Sequence, residues 1–146
     1  MSFNRKEHLT DNIKAIGLAL ELEKSQTSAT PEQIEILRKY CGFGGLKCIL
    51  QPCEHLSDMA KWNKSNTPLF LEVQNLYGVL KKYAESDRQY KQYADSLKSS
   101  VLTTFYTPPE IVKAIANKFA ESGIVAENFL DPSAGTGVFL SAFKNG

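Results

Sequence analysis

The stretch Asn128-Phe129-Leu130-Asp131-Pro132-Ser133-Ala134-Gly135-Thr136-Gly137-Val138-Phe139-Leu140 decides how the chain is read. A short apolar run about Asn128–Leu130 reads as a strand, Asp131 closes it, a glycine turn follows, and Val138 to Phe143 opens a helix. In open α/β folds, that geometry lies at the carboxyl edge of a parallel sheet, where ligands bind. Gly135 and Gly137 can take backbone angles closed to other residues, so a ligand can approach the main chain there. The free amides of the new helix start favour a negatively charged group. Two familiar patterns do not fit. Leu140 stands where a dinucleotide fingerprint needs its third glycine, and no Gly-Lys-Ser/Thr follows for a phosphate-binding P-loop. On this loop alone, a glycine turn with no ligand is the plain alternative.

Upstream, every readable segment is helical. Thr107-Pro108-Pro109-Glu110 has the hydroxyl, proline and acid of a helix start, ahead of Ile111, Val112, Ile115, Ala116 and Phe119, and Gly123 marks the end. Ser86-Asp87-Arg88-Gln89 has capping-box spacing and opens a helix through about Lys98. Another begins at Thr67-Pro68, with Leu69, Val73, Leu76 and Leu80 on one face. Thr30-Pro31-Glu32-Gln33 starts a helix running to about Tyr40, where Gly42-Phe43-Gly44-Gly45 breaks it. Residues 11–24 form an amphipathic helix on Ile13, Ile16 and Leu20. Residues 46–66, with Pro52 and Trp62, give no clear period. The expected fold class is mainly α: a helical N-terminal region over 1–99, then the truncated start of an α/β domain over 100–146.

Composition narrows the function. The 146 residues carry 17 Lys+Arg against 16 Asp+Glu and are 42% hydrophobic, values of a globular chain with a core. A formal net charge of +1 excludes a polybasic tail. Residues 1–100 hold 14 basic and 12 acidic side chains, and 101–146 hold three and four, so neither part is an electrostatic footprint. No run nears the ~18 apolar residues of a membrane span, which argues against a membrane partner. The start, Met1 to Asn12, has no apolar signal core, so a cytoplasmic location is expected. Cys41, Cys48 and Cys53 read as reduced thiols. Their spacing to His55 lacks the paired cysteines of zinc sites, so no metal is assigned. His8 and His55 have no evident catalytic partner and read as surface residues. Tyr83, Tyr90 and Tyr93, interleaved with Lys81, Lys82, Arg88 and Lys91, read as a packing face rather than a nucleic-acid surface.

Two motifs together carry a resemblance. Asp131 to Leu140 resembles the S-adenosylmethionine-binding motif of amino-methylating DNA methyltransferases, and Thr104-Phe105-Tyr106-Thr107-Pro108-Pro109-Glu110-Ile111-Val112 resembles the second cofactor motif of that family. In the adenine-N6 subclass the second motif lies just N-terminal to the first, as it does here, with Asp131 19 positions after Val112. The match covers about residues 100–143. It implies a Rossmann-like catalytic domain, S-adenosylmethionine as cofactor and DNA as partner through the full-length protein. It also implies roles residue by residue. Asp131 would lie beside the cofactor's methionine moiety, with Ser133, Gly135 and Gly137 as the wall of close main-chain approach. Phe139 would pack near the cofactor, Thr107 would help hold the methionine carboxylate, and Phe105 and Tyr106 would line the pocket. A looser likeness, through Tyr40-Cys41-Gly42-Phe43-Gly44-Gly45-Leu46 and Tyr93-Ala94-Asp95-Ser96, points to methylase–helicase proteins of mobile elements.

The family's catalytic tetrapeptide, Asn, Asp or Ser followed by Pro-Pro and an aromatic, does not occur; Pro-Pro stands once, between Thr107 and Glu110. No catalytic residue is therefore assigned, and the chain itself is expected to be inactive. The chain breaks off inside an expected helix, as the N-terminal piece of a longer methyltransferase would. The lone strand, about 127–131, is expected to stay poorly paired or to find a partner in a second copy. Other acceptors (cytosine-N4, RNA, protein glutamine) and a non-catalytic helical module that docks DNA or protein are the alternatives.

Overall fold

The structure, a computed structural model, describes residues 4–103, 106–124 and 128–143. Contacts divide the chain into two units, 1–105 and 106–146. Both are helical, and no strand occurs among the described residues.

The first unit begins with α1, Arg5–Ser25, whose N-cap Asn4 accepts the Glu7 amide. The helix starts six residues before its apolar period does, because the polar opening turn is fixed by the cap and by tertiary contacts. Arg5 donates to Asn66 Oδ1 at 2.6 Å, and Lys6 pairs with Glu72 at 3.0 Å. α1 ends at Gln26, a non-glycine residue at φ +54°. α2, Pro31–Leu37, has the reciprocal capping box predicted from Thr30 and Gln33, but stops three residues short of Tyr40.

Residues 38–69 carry the part the sequence left unread. Three 3-10 turns, Lys47–Leu50, Leu56–Lys61 and Thr67–Leu69, replace any longer helix. Each sends side chains inward. Cys48, Ile49 and Leu69 are buried, as are Cys53 and Trp62 beside the turns. The indole NH of Trp62 donates to the Pro52 carbonyl at 2.7 Å, and its ring meets Phe70 edge-on at 5.1 Å. Lys61, together with the His55 amide, holds the Asp58 carboxyl below the usual carboxylate range.

α3, Phe70–Tyr83, is the hub. It packs against α1 and α4, and Leu69, Val73, Leu76 and Leu80 are all buried along the face read from the sequence. α4, Asp87–Thr103, runs five residues past Lys98, since Val101 continues its buried stripe after Leu97. The Ser100 and Thr103 hydroxyls return to the carbonyls of Leu97 and Ser99, so polar residues there do not end the helix. Tyr90 and Tyr93 pack against this core, as their spacing implied.

The Gly42–Gly45 break is a packing element: Phe43 is fully buried and meets Tyr40 edge-on. Buried Asn12 of α1 fastens it, donating to the Gly42 carbonyl at 2.6 Å and accepting the Cys41 amide at 2.9 Å.

In the second unit, α5 (Pro109–Glu121) packs on α6 (Val138–Phe143). α5 closes at Gly123, whose amide bonds Ala120 O while Ile124 bonds Phe119 O, the paired contacts of a Schellman end. The strand expected about Asn128–Leu130 is corrected: these residues have no regular secondary structure. A strand is defined by a ladder, and no described segment offers one. Phe129 instead stacks on Phe143 at 4.8 Å, and Phe143 meets Phe119 edge-on at 5.5 Å. A Rossmann-like sheet is thus not present among the described residues. No helix among them is long and apolar enough to cross a membrane.

Candidate functional site

The second unit positions the motif residues through three local devices. Asp131 Oδ1 accepts the Ser133 amide at 2.9 Å, turning the chain immediately after residue 130. Gly137 donates to Ala134 O at 2.7 Å, and Ser141 returns its amide and its hydroxyl to Gly137 O, joining the turn to α6. Gly135 and Gly137 lie at φ +52° and +76°, left-handed angles at which glycine bears no steric penalty.

Gly135 is required twice over. A Cβ built on it would stand 2.7 Å from Tyr106 Cε1, closer than real Cβ atoms come, and a tight 3.1 Å from Cδ1. The Tyr106 ring therefore lies directly against the glycine turn, in the space a side chain would fill. Residues 29 apart, one from each motif, are brought into contact.

The remaining residues fall as follows. Thr107 is exposed and does not cap α5, whose N-cap is Pro108; the Ile111 amide bonds the Pro108 carbonyl instead. The cap reading of Thr107 is thus corrected. Its hydroxyl makes no hydrogen bond among the described residues. Asp131 is half-buried, with Oδ1 held by Ser133 and Oδ2 without a hydrogen bond among the described residues. Ser133 is exposed and Phe139 half-buried. Phe105 lies outside the described residues. The chemistry this set offers is one carboxylate, one hydroxyl and an open glycine main chain beside an aromatic ring. That composition fits a group carrying both a cation and an aromatic or apolar part.

Elsewhere, a cleft of about 1080 Å³ opens in the first unit between residues 50–61, α3 and α4; none of the cofactor-motif residues lines it, though Ala94 and Asp95 do. The cysteines do not converge: among the described residues no group of three or more His, Cys, Asp or Glu could hold a metal ion. Cys48 and Cys53 are buried in the core. His55 is exposed, but His8 is half-buried with Nδ1 3.2 Å from Cys41 Sγ, which corrects its reading as a surface residue. Nothing in the sequence pointed to that pair, 33 residues apart.

The chain matches no family model, and no curated protein or solved structure matches it.

Proposed function

We propose that this chain is the N-terminal part of an S-adenosylmethionine-dependent DNA methyltransferase acting on the N6 amine of adenine. The observation that carries the reading is the contact of Tyr106 with Gly135, which joins the two motifs on which the family resemblance rests. Asp131, Ser133, Gly135, Gly137 and Phe139 would hold the cofactor, with Phe105, Tyr106 and Thr107 as the residues the second motif would add. When bound, S-adenosylmethionine supplies an electrophilic methyl group on a positively charged sulfur. The chain's residues would bind and orient it: Asp131 would offset the ammonium charge, and the Thr107 hydroxyl would help hold the carboxylate. The groups that accept hydrogen bonds from the flipped-out adenine would come from the Asn/Asp/Ser-Pro-Pro-aromatic tetrapeptide, absent from this sequence. The α/β Rossmann-like part of the fold, DNA as partner and a cytoplasmic setting belong to the same proposal.

The test is methyl transfer from labelled S-adenosylmethionine to DNA by the longest natural product containing this chain. Activity lost in Asp131→Ala and in Gly135→Ala, with the first unit's melting unchanged, supports the reading. A coding sequence without the tetrapeptide downstream overturns it. This chain alone is expected to bind the cofactor weakly or not at all, and submicromolar affinity by calorimetry would contradict the incomplete site.

A second reading, a helical docking module for DNA or protein, is favoured by the first unit's self-contained core. Salt-dependent binding of DNA by this chain would support its DNA form, and no binding at low salt would remove it.

A further inference from the structure

We propose that the cleft of the first unit, walled by α3 and α4, binds a nucleoside phosphate, its phosphate held by Lys81 and Lys91. The proposal rests on the first unit alone and is independent of the methyltransferase reading. The cleft, about 1080 Å³, is large enough for such a ligand. Four lysines line it. Lys61 is held by Asp58 at 2.7 Å, but Lys81, Lys91 and Lys98 make no ion pair or hydrogen bond among the described residues. α3 and α4 pack together across the short connection 84–86, so Lys81, near the end of α3, and Lys91, near the start of α4, share one end of the cleft. Lys98 stands about 10 Å further along α4, at 1.5 Å per residue. Ammonium groups facing one space repel each other, and a bound anion relieves that repulsion.

Gly78 gives a second, independent sign. It lies inside α3 and lines the cleft, and a Cβ built on it meets nothing within 4 Å beyond its own helix. Glycine is a poor helix former, and no close contact demands one here. What the missing side chain leaves is room in the cleft. The remaining lining names the rest of the ligand. Tyr77 and Tyr90 are half-buried and supply aromatic surface. The Tyr77 hydroxyl is tied to the Ile49 carbonyl at 2.9 Å, whereas that of Tyr90 makes no hydrogen bond among the described residues. Glu54 and Asp95 line the same cleft, and their charges act on Tyr90 and Tyr77 respectively. Those carboxylates repel a ligand that is anionic throughout, such as an acidic peptide, but accept hydrogen bonds from sugar hydroxyls and base amines. Anionic at one end, aromatic and rich in donors at the other, the matching ligand is a nucleotide.

The test is titration of the folded chain with adenosine monophosphate, followed by amide NMR and calorimetry. Saturable binding is expected, with shifts at Gly78 and at Lys81 and Lys91. Inorganic phosphate should bind about tenfold more weakly, because it forgoes base–aromatic stacking. Lys81→Gln and Lys91→Gln should each weaken the nucleotide about tenfold, the loss of one charge-assisted hydrogen bond. Gly78→Leu should abolish binding while the urea midpoint holds or rises, and Lys82→Gln, outside the cleft, should change nothing. A terminally phosphorylated single strand of DNA distinguishes the source. Tighter binding than the mononucleotide assigns the cleft to a strand end, and weaker binding assigns it to a free nucleotide. No saturable binding at millimolar nucleotide overturns the proposal, as does phosphate bound as tightly as the nucleotide. Affinity unchanged by Gly78→Leu and Lys81→Gln, or lost in Gly135→Ala, places any bound nucleotide elsewhere and overturns it too.

Discussion

The two units spend their apolar residues in opposite ways. In the first, Leu9, Phe43, Leu46, Ile49, Phe70, Val73 and Leu76 are all at or near zero exposure in one continuous core. In the second, Val112 is the one buried side chain among the described residues, while Ile111, Ile115, Phe119, Ile124, Phe129 and Leu130 face outward. Ile111, Ile115 and Phe119 stand at i, i+4 and i+8, so they form a stripe on α5 rather than a scatter. Local sequence built both sets of helices equally well. Burial separates them, since a helix gains most of its stability from the face it buries. The first unit is a finished hydrophobic object, and the second holds a well-formed turn in an open apolar setting.

That contrast can be broken most directly by truncating one large apolar side chain in each unit. Phe43→Ala should destabilise the first unit by about 3–5 kcal/mol, because it empties a fully buried site. Leu130→Ala should change thermal stability by less than about 0.5 kcal/mol, as expected for an exposed side chain. Calorimetric melts of the two variants check both, and comparable losses would erase the distinction. Next in size is Asn12→Ala, which strands the Cys41 amide and the Gly42 carbonyl and should cost about 2–3 kcal/mol by urea unfolding.

Alkali should act on the first unit. Burial pushes the Cys53 thiol up to about 11, with Asp58 and Glu54 adding to the rise, and burial raises Tyr77 and Tyr90 as well. A folded value above the unfolded one favours the protonated, folded state. This contribution is therefore complete below about pH 8.5, the free-thiol value, and is lost as pH climbs toward 11. Melting temperatures that stay level from pH 8 to 10.5 would refute it. A small gain is expected at Gln26, held at φ +54°. Gln26→Gly should raise stability by up to about 1 kcal/mol, less what the Gln26 Nε2 bond to Glu23 O contributes, readable as a small rise in urea midpoint.

How much the sequence disclosed follows from range. The buried stripe of α3 was legible because Leu69, Val73, Leu76 and Leu80 repeat at helical spacing within one segment. The Thr30–Gln33 box was legible because both partners lie three residues apart. Residues 46–66 were not, because successive 3-10 turns of three to six residues give no period long enough to read, although Cys48, Ile49 and Trp62 reach the core. In the candidate site, the positive φ of Gly135 and Gly137 was anticipated from residue type. The Tyr106 contact was not, since a ring fitted against a missing Cβ leaves no local mark. The Cys41–His8 pair was hidden in the same way.

The two hydrogen bonds of Asn12 also bear on the order in which the chain can assemble. One side-chain amide pins a donor and an acceptor about 30 residues downstream, in the manner of a single rung between strands. Closing that span costs chain entropy before any contact returns it. The turn around Phe43 has no such anchor until α1 exists as a helix and presents Asn12. Folding of this segment is thus contingent on α1, and a lesion early in the chain should be felt first at residues 41–43.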